Sequence, residues 1–277
     1  MKLEGKGNRH WQEFTSVSDT LDFITNDKFI QKESNTSSGA NPGSWGHKNF
    51  LETVRMMQDG WPEGRDEIEK FVILIEKRVM GHLPVVEVVR DVTGEWLDMG
   101  AYVAGEPEAW ASFQDTDVYM EKRGPKIIHV VLNVDVTWEP FKRGAAGVAI
   151  IDALERVGYR VIADAIANTV KNNRLLETCI RVKNSDEPVQ LDKLAFLFAH
   201  PNILAHVLFA CWERLPTPIR AMYGFTNHYG YVGNVPKEDQ GDLYVNRNVG
   251  NVGDIDEVAK YVLKQIASQG VRIREEA

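Results

Sequence analysis

The chain has 277 residues, 43% of them hydrophobic and 26% charged, a composition that excludes fibrous and wholly disordered proteins and gives room for one large domain with a sizeable elaboration. Its net charge of −8 lies almost entirely in the first half: residues 1–126 hold 15 basic against 22 acidic residues, residues 127–277 hold 17 against 18. A chain of this sign is disfavoured for non-specific nucleic-acid binding, which needs Lys and Arg to neutralise phosphates. No run approaches the ~18 consecutive apolar residues of a membrane-spanning helix, and the start lacks the apolar middle of a secretory signal, so a cytoplasmic protein without a membrane anchor is expected. Cys179 and Cys211 stand in apolar surroundings with no CxxC or Cys/His spacing, and read as small buried core residues.

In chain order, SVSDTLDFIT predicts a short helix capped by Ser16 or Ser18. Residues 33–46, rich in Ser, Asn and Gly, read as a loop or mobile arm ending at Trp45. HKNFLETVRMMQDG and PEGRDEIEKFVILIEKRVMG then predict an antiparallel helical hairpin, with Gly60 and Gly81 as stops and Trp61 in the turn. Residues 83–126 lose helical periodicity and read as a strand-containing insertion with a Gly-Glu-Pro-Glu turn at 105–108.

The second half has a clearer grammar. IIHVVLNV at 127–134 is a β-branched run suited to a strand buried on both faces. A helix over 143–157 with small residues at its start follows, then Gly158, a strand over 159–167, a polar KNNR turn and a third strand over 175–183 at the sheet edge. Asp192 is read as the cap of a helix that Pro201 interrupts; GDLYVNR predicts a strand, and an amphipathic helix runs from Asp254 to Ser268. The expected fold class is α/β, a doubly wound and mainly parallel sheet over 127–277, with residues 1–126 as an N-terminal helical and strand-containing elaboration.

The order of elements over 127–270, with its short antiparallel strand, is similar to the von Willebrand factor A fold. The chain also resembles a family of uncharacterised tailed-bacteriophage proteins, on Gly60-Trp61-Pro62-Glu63-Gly64, Asp91-Val92-Thr93-Gly94, Ala104-Gly105-Glu106-Pro107-Glu108, Arg143-Gly144-Ala145-Ala146, Ile151-Asp152-Ala153-Leu154-Glu155, Leu191-Asp192-Lys193-Leu194-Ala195 and Ala199-His200-Pro201. That resemblance spans roughly residues 45–215 and implies no reaction. The A-domain metal motif D-x-S-x-S would fall on Asp135-Val136-Thr137-Trp138-Glu139, where Asp135 and Thr137 offer a carboxylate and a hydroxyl to Mg2+ or Ca2+ and Glu139 departs from the pattern.

Other chemistry is sparse. Gly144 and Gly147 do not form G-x-G-x-x-G and no P-loop lysine follows, so neither NAD nor ATP binding is expected; close helix-to-sheet packing explains these glycines better. Arg143, near Glu139 at a helix start, is a candidate for an anionic group or for pairing with Glu139. Glu106 and Glu108 read as a solvated turn, and the histidines lack metal-ligand spacing. Trp45, Trp61 and Trp138 are candidate interface anchors.

These readings converge on a non-enzymatic interaction protein whose loops at the carboxyl ends of the strands bind a protein partner, an AAA+ ATPase by analogy with A-domain proteins. The alternatives are a nucleic-acid-binding protein or Mg-dependent nuclease using Asp135, Asp164 and Glu139, and a structural component of the virion.

Overall fold

The structure, a computed structural model, describes residues 1–26, 50–83, 86–94, 96–115, 126–134, 140–200, 202–225, 233–246, 248–249 and 254–271. Trp45 with the 33–46 loop, and the stretch 135–139 that contains Asp135, Thr137, Trp138 and Glu139, lie outside the described residues.

The N-terminus forms a hairpin of β1 (Lys2–Lys6) and β2 (Arg9–Phe14), turning at Gly7 with φ 61°. In β2 the side chains alternate: His10, Gln12 and Phe14 are buried, while Arg9, Trp11 and Glu13 are half-buried. Helix α1 (Val17–Ile24) is capped by Ser16, whose Oγ accepts from the Asp19 N–H at 3.0 Å. The helical hairpin forms as expected, with α2 (Phe50–Asp59) stopping at Gly60, φ 98°, and α3 (Pro62–Val79) opening on a proline whose missing N–H costs nothing in a first turn. Residues 86–115 fold into a small antiparallel sheet, β3 (Val86–Asp91), β4 (Trp96–Leu97) and β5 (Trp110–Asp115) in the order β3-β5-β4, with α4 (Met99–Ala104) between the last two in sequence.

The central unit follows: β6 (Ile127–Asn133), α5 (Pro140–Arg156), β7 (Arg160–Lys171) and β8 (Arg174–Lys183). The β7–β8 turn places both Asn172 (φ 51°) and Asn173 (φ 57°) in the left-handed region, the geometry of a tight hairpin turn that asparagine tolerates. Helix α6 (Leu191–Ala199), a π-helical stretch Ile203–Leu208, α7 (Phe209–Glu213), α8 (Thr217–Tyr223), β9 (Leu243–Val245) and α9 (Ile255–Ser268) complete the chain. Asp254 caps α9 through its carboxylate, whereas Asp192 sits in the first turn of α6 and Gln190 holds the cap position. Among the described residues no helix is long and apolar enough to cross a membrane.

The main sheet has the order β1-β2-β8-β7-β6-β9, with parallel pairing for β2–β8, β7–β6 and β6–β9 and antiparallel pairing for the other two neighbours. The chain is therefore α/β with a mixed central sheet. β8 is not the edge strand its sequence suggests, because β2 hydrogen-bonds along its outer side. Residues on both sides of position 126 contribute strands to this one sheet.

Helices other than α4 share one large apolar core with a single face of the sheet, represented by Phe14, Val130, Leu132, Ala163, Ala165 and Ile180. Small residues let α5 approach closely: a Cβ on Gly147 would stand 2.8 Å from Leu132 Cδ1, and one on Gly144 would stand 3.1 Å from Ile68 Cδ1. Trp212, fully buried, donates its indole N–H to Thr178 Oγ1 at 2.9 Å and ties α7 to the sheet. Among the described residues the opposite face has a small buried apolar set, Val131, Ile166, Cys179 and Val235, flanked by Trp11 and Tyr244. Among the described residues no α-helix packs there, and of the helical segments only the 3-10 turn Lys237–Asp239 reaches this face, through Arg9. The cause lies in the alternate rows of the strands, which carry Asp164, Asn168, Glu177 and Arg181 where a second helical layer would need apolar side chains.

Candidate functional site on the helix-free face

Register brings two polar groups together on this face. Asp164 on β7 lies directly opposite Arg181 on β8, and Val131 on β6 is its other neighbour, two residues after His129. The buried Asp164 carboxylate accepts from Arg181 Nε, from Arg181 Nη2 at 3.3 Å, and from His129 Nε2 at 2.7 Å. Burial pulls its pKa upward, but the hydrogen bonds from His129 and Arg181 and the guanidinium charge outweigh it, so the group stays below the ordinary 3.8. Burial and the neighbouring Asp164 carboxylate push the Cys179 thiol well up, leaving it an inert core residue, as its sequence context suggests. Asp242 Oδ2 accepts from the His129 backbone N–H at 2.8 Å. Gly241, φ 62°, lies against His129 so closely that a Cβ would stand 2.7 Å from its carbonyl oxygen.

The second group lies towards the carboxyl ends of β6 and β7. Asn133 donates to the Gly233 carbonyl at 3.1 Å and to Tyr244 Oη at 3.0 Å. Asn168 donates to the Asn234 carbonyl at 2.6 Å and accepts from the Gly233 N–H at 2.8 Å, while Tyr244 Oη accepts from the Val235 N–H at 3.1 Å. Residues 233–235 are thus strapped across the strand ends by three side chains. Opposite Asn168, the fully buried Glu177 accepts from Arg9 Nε at 2.5 Å, and the same guanidinium reaches Glu238 and Asp239. Burial raises the Glu177 pKa to about 7 in spite of Arg9, helped by the negative charges of Asp239 and Glu238. Two acceptors here are buried without a hydrogen-bond partner among the described residues, Asn133 Oδ1 and Glu177 Oε1. Native proteins rarely leave such oxygens unsatisfied, and an ordered water, ion or ligand donor is the usual complement.

A cleft of about 120 Å³ beside the far end of β8 is lined by Ser16, Ser18, Arg181, Asn184, Gln190 and Lys193 among others. It is a weaker candidate for anions, because Arg181 and the adjoining Lys183 are already paired with Asp164 and Glu155.

Of the sequence-predicted residues, Arg143 and Trp61 are described, and both lie on the helical side near the start of α5. Arg143 is buried, with Nη2 donating to the Phe198 carbonyl at 3.3 Å. Trp61 makes an edge contact with His200 at 4.3 Å between ring centroids and a tilted one with Phe141 at 5.7 Å. Its indole also covers Gly64, where a Cβ would fall 2.0 Å from the ring. Trp61 thereby pins the helical hairpin to α5 and α6. Glu106 pairs with Arg90 at 3.3 Å, in keeping with a solvated turn. His129 is half-buried and anchored to Asp164, and His200 and His206 are buried. Among the described residues no three His, Cys, Asp or Glu side chains converge as a metal site.

Asn133, Asn168, Glu177 and Arg181 escaped sequence reasoning, which singled out Asp164 only as a candidate Mg2+ ligand and not as the partner of Arg181 and His129. The signal available was the presence of charged residues at alternate positions inside otherwise apolar strands, which sets the second face apart.

No curated protein and no solved structure matches this chain. The family model described as Domain of unknown function (DUF7192) matches residues 4–271, and the chain belongs to that family.

Proposed function

We propose that this is a non-enzymatic interaction protein, encoded by a tailed bacteriophage and acting in the host cytoplasm, that binds a protein partner at the carboxyl ends of its central strands. The strand order β8-β7-β6-β9, in which β8 alone is antiparallel to the other three, supports a von Willebrand factor A-like core. The observation that carries the reading is Asn133. At the carboxyl end of β6, beside the 233–235 strap, it holds a buried oxygen with no partner among the described residues, two residues before Asp135. In this reading Asp135 and Thr137 complete the binding end, with Trp138, Glu139, Trp45 and Trp61 as the further candidates for contact, whereas Arg143, buried and bonded to the Phe198 carbonyl, supports the start of α5 and does not reach a partner. Asn133 Oδ1 is a neutral oxygen of the kind hard cations accept, so a Mg2+ or Ca2+ held with Asp135 and Thr137 would supply a charge for a partner carboxylate. By fold analogy the partner is an AAA+ ATPase. The nuclease alternative draws no support from Asp164, whose charge is already matched by Arg181 and whose second oxygen is hydrogen-bonded to His129.

The test pairs stability with capture. Asp135→Ala should keep the wild-type melting temperature in metal-free buffer and lose the partner in affinity capture from phage-infected cells. Capture of the same partner by both proteins refutes the site. Mg2+ or Ca2+ at about a hundredfold over its dissociation constant should stabilise only the wild type, by about 2.7 kcal/mol.

A further inference from the structure

The small antiparallel sheet carries a surface feature that the reading above does not use. In α4, Met99, Tyr102 and Val103 recur at i, i+3 and i+4 and share one helix face, while Ala101 on the opposite side is buried. The three outward side chains are 60%, 60% and 79% exposed, and the same unit also exposes Val92 and Trp110. An apolar helix face of this kind is unusual on a surface with no partner.

Charge gives the partner its sign. Residues 86–115 hold seven carboxylates and one basic residue, Arg90, so about a ninth of the chain carries six of its eight net negative charges. Arg90 is itself engaged, by Asp98 at 2.6 Å and Glu106 at 3.3 Å. Asp91, Glu106 and Glu108 are exposed.

We propose that the outer face of α4 docks a cationic amphipathic segment of another protein, its apolar residues covering Met99, Tyr102 and Val103 and its Lys and Arg residues meeting the surrounding carboxylates. A second copy of this chain would bring the same net charge of −6 against itself, and anionic lipid or nucleic acid would be repelled in the same way. Helix-in-groove recognition uses anchors at this spacing, and complementary charge adds rate and selectivity. None of the residues of this surface belongs to the binding end proposed above, and its test does not depend on that site.

The probe is a synthetic amphipathic Leu/Lys helical peptide, with a Leu/Glu peptide of the same pattern as control, titrated against the full chain. The wild type should bind the Leu/Lys peptide, with affinity falling as salt is added, and should ignore the Leu/Glu peptide. Tyr102→Ser with Val103→Ser, both exposed positions, should weaken binding by about tenfold, and Glu108→Lys should weaken it independently, with circular dichroism unchanged. Equal binding by wild type and the serine variant would overturn the proposal. So would a self-associated wild type, seen by sedimentation, that the serine variant converts to monomer, or binding of the wild type to anionic vesicles through these residues.

Discussion

Replacing Glu177 by Gln should change the pH dependence of stability in a direction opposite to that of most carboxylates. Glu177 is fully buried, one of its oxygens has no partner among the described residues, and its pKa rises from an ordinary 4.5 to about 7. Below pH 4.5 the carboxyl is protonated in both the folded and the unfolded chain and contributes no pH dependence. Between 4.5 and about 7 the folded protein keeps a proton that the unfolded chain has released, so stability falls as pH rises and the loss is complete above about 7. At roughly 1.4 kcal/mol for each pH unit, the displacement amounts to about 3 kcal/mol. Gln keeps the shape and a donor and acceptor but cannot ionise. Urea unfolding from about pH 5 to about pH 8 should therefore show Glu177→Gln gaining on the wild type by up to about 3 kcal/mol as pH rises. A difference between the two proteins that stays constant across this range would show that Arg9 keeps Glu177 ionised in the fold, and would refute the reasoning.

Arg181→Leu removes the cation from a buried Asp164 and should destabilise the protein by about 3–5 kcal/mol, measured by urea unfolding. In the wild type the depressed Asp164 pKa contributes stability present above 3.8 and lost as pH falls through the folded value. That acid limb should shrink in Arg181→Leu, and an unchanged acid limb would assign it to other carboxylates. Asn168→Ala breaks both bonds that hold the 233–235 strap to β7, so hydrogen exchange at the Gly233 amide should accelerate, with a global cost of about 1–3 kcal/mol. Unaltered exchange would show that Asn133 and Tyr244 suffice to hold the strap.

The β6-α5-β7-β8 unit was legible because β-branched runs, a small-residue helix start and the KNNR turn each specify one local structure, and the structure has all of them. The first hairpin was not. Its residues Lys2–Phe14 are mostly polar, and only the alternation of His10, Gln12 and Phe14 against Arg9, Trp11 and Glu13 marks a strand whose buried row is itself partly polar. Missing β2 made β8 look like an edge. The helix-free face was hidden for a related reason, since Asp164 and Arg181 acquire meaning only through the antiparallel register that sets them opposite each other. Asn133 Oδ1 is buried without a partner among the described residues, a property of three-dimensional packing that no spacing encodes.

The binding site at the carboxyl ends of the strands is tested most directly by site-specific photo-crosslinking in extracts of phage-infected cells. One photoreactive residue replaces Thr137, and in a second protein it replaces Ile73, an exposed position on α3. The expected result is one discrete cross-linked protein from the Thr137 position and none from Ile73. Cross-linking to the same partner from Ile73 and not from Thr137 would contradict the proposed site.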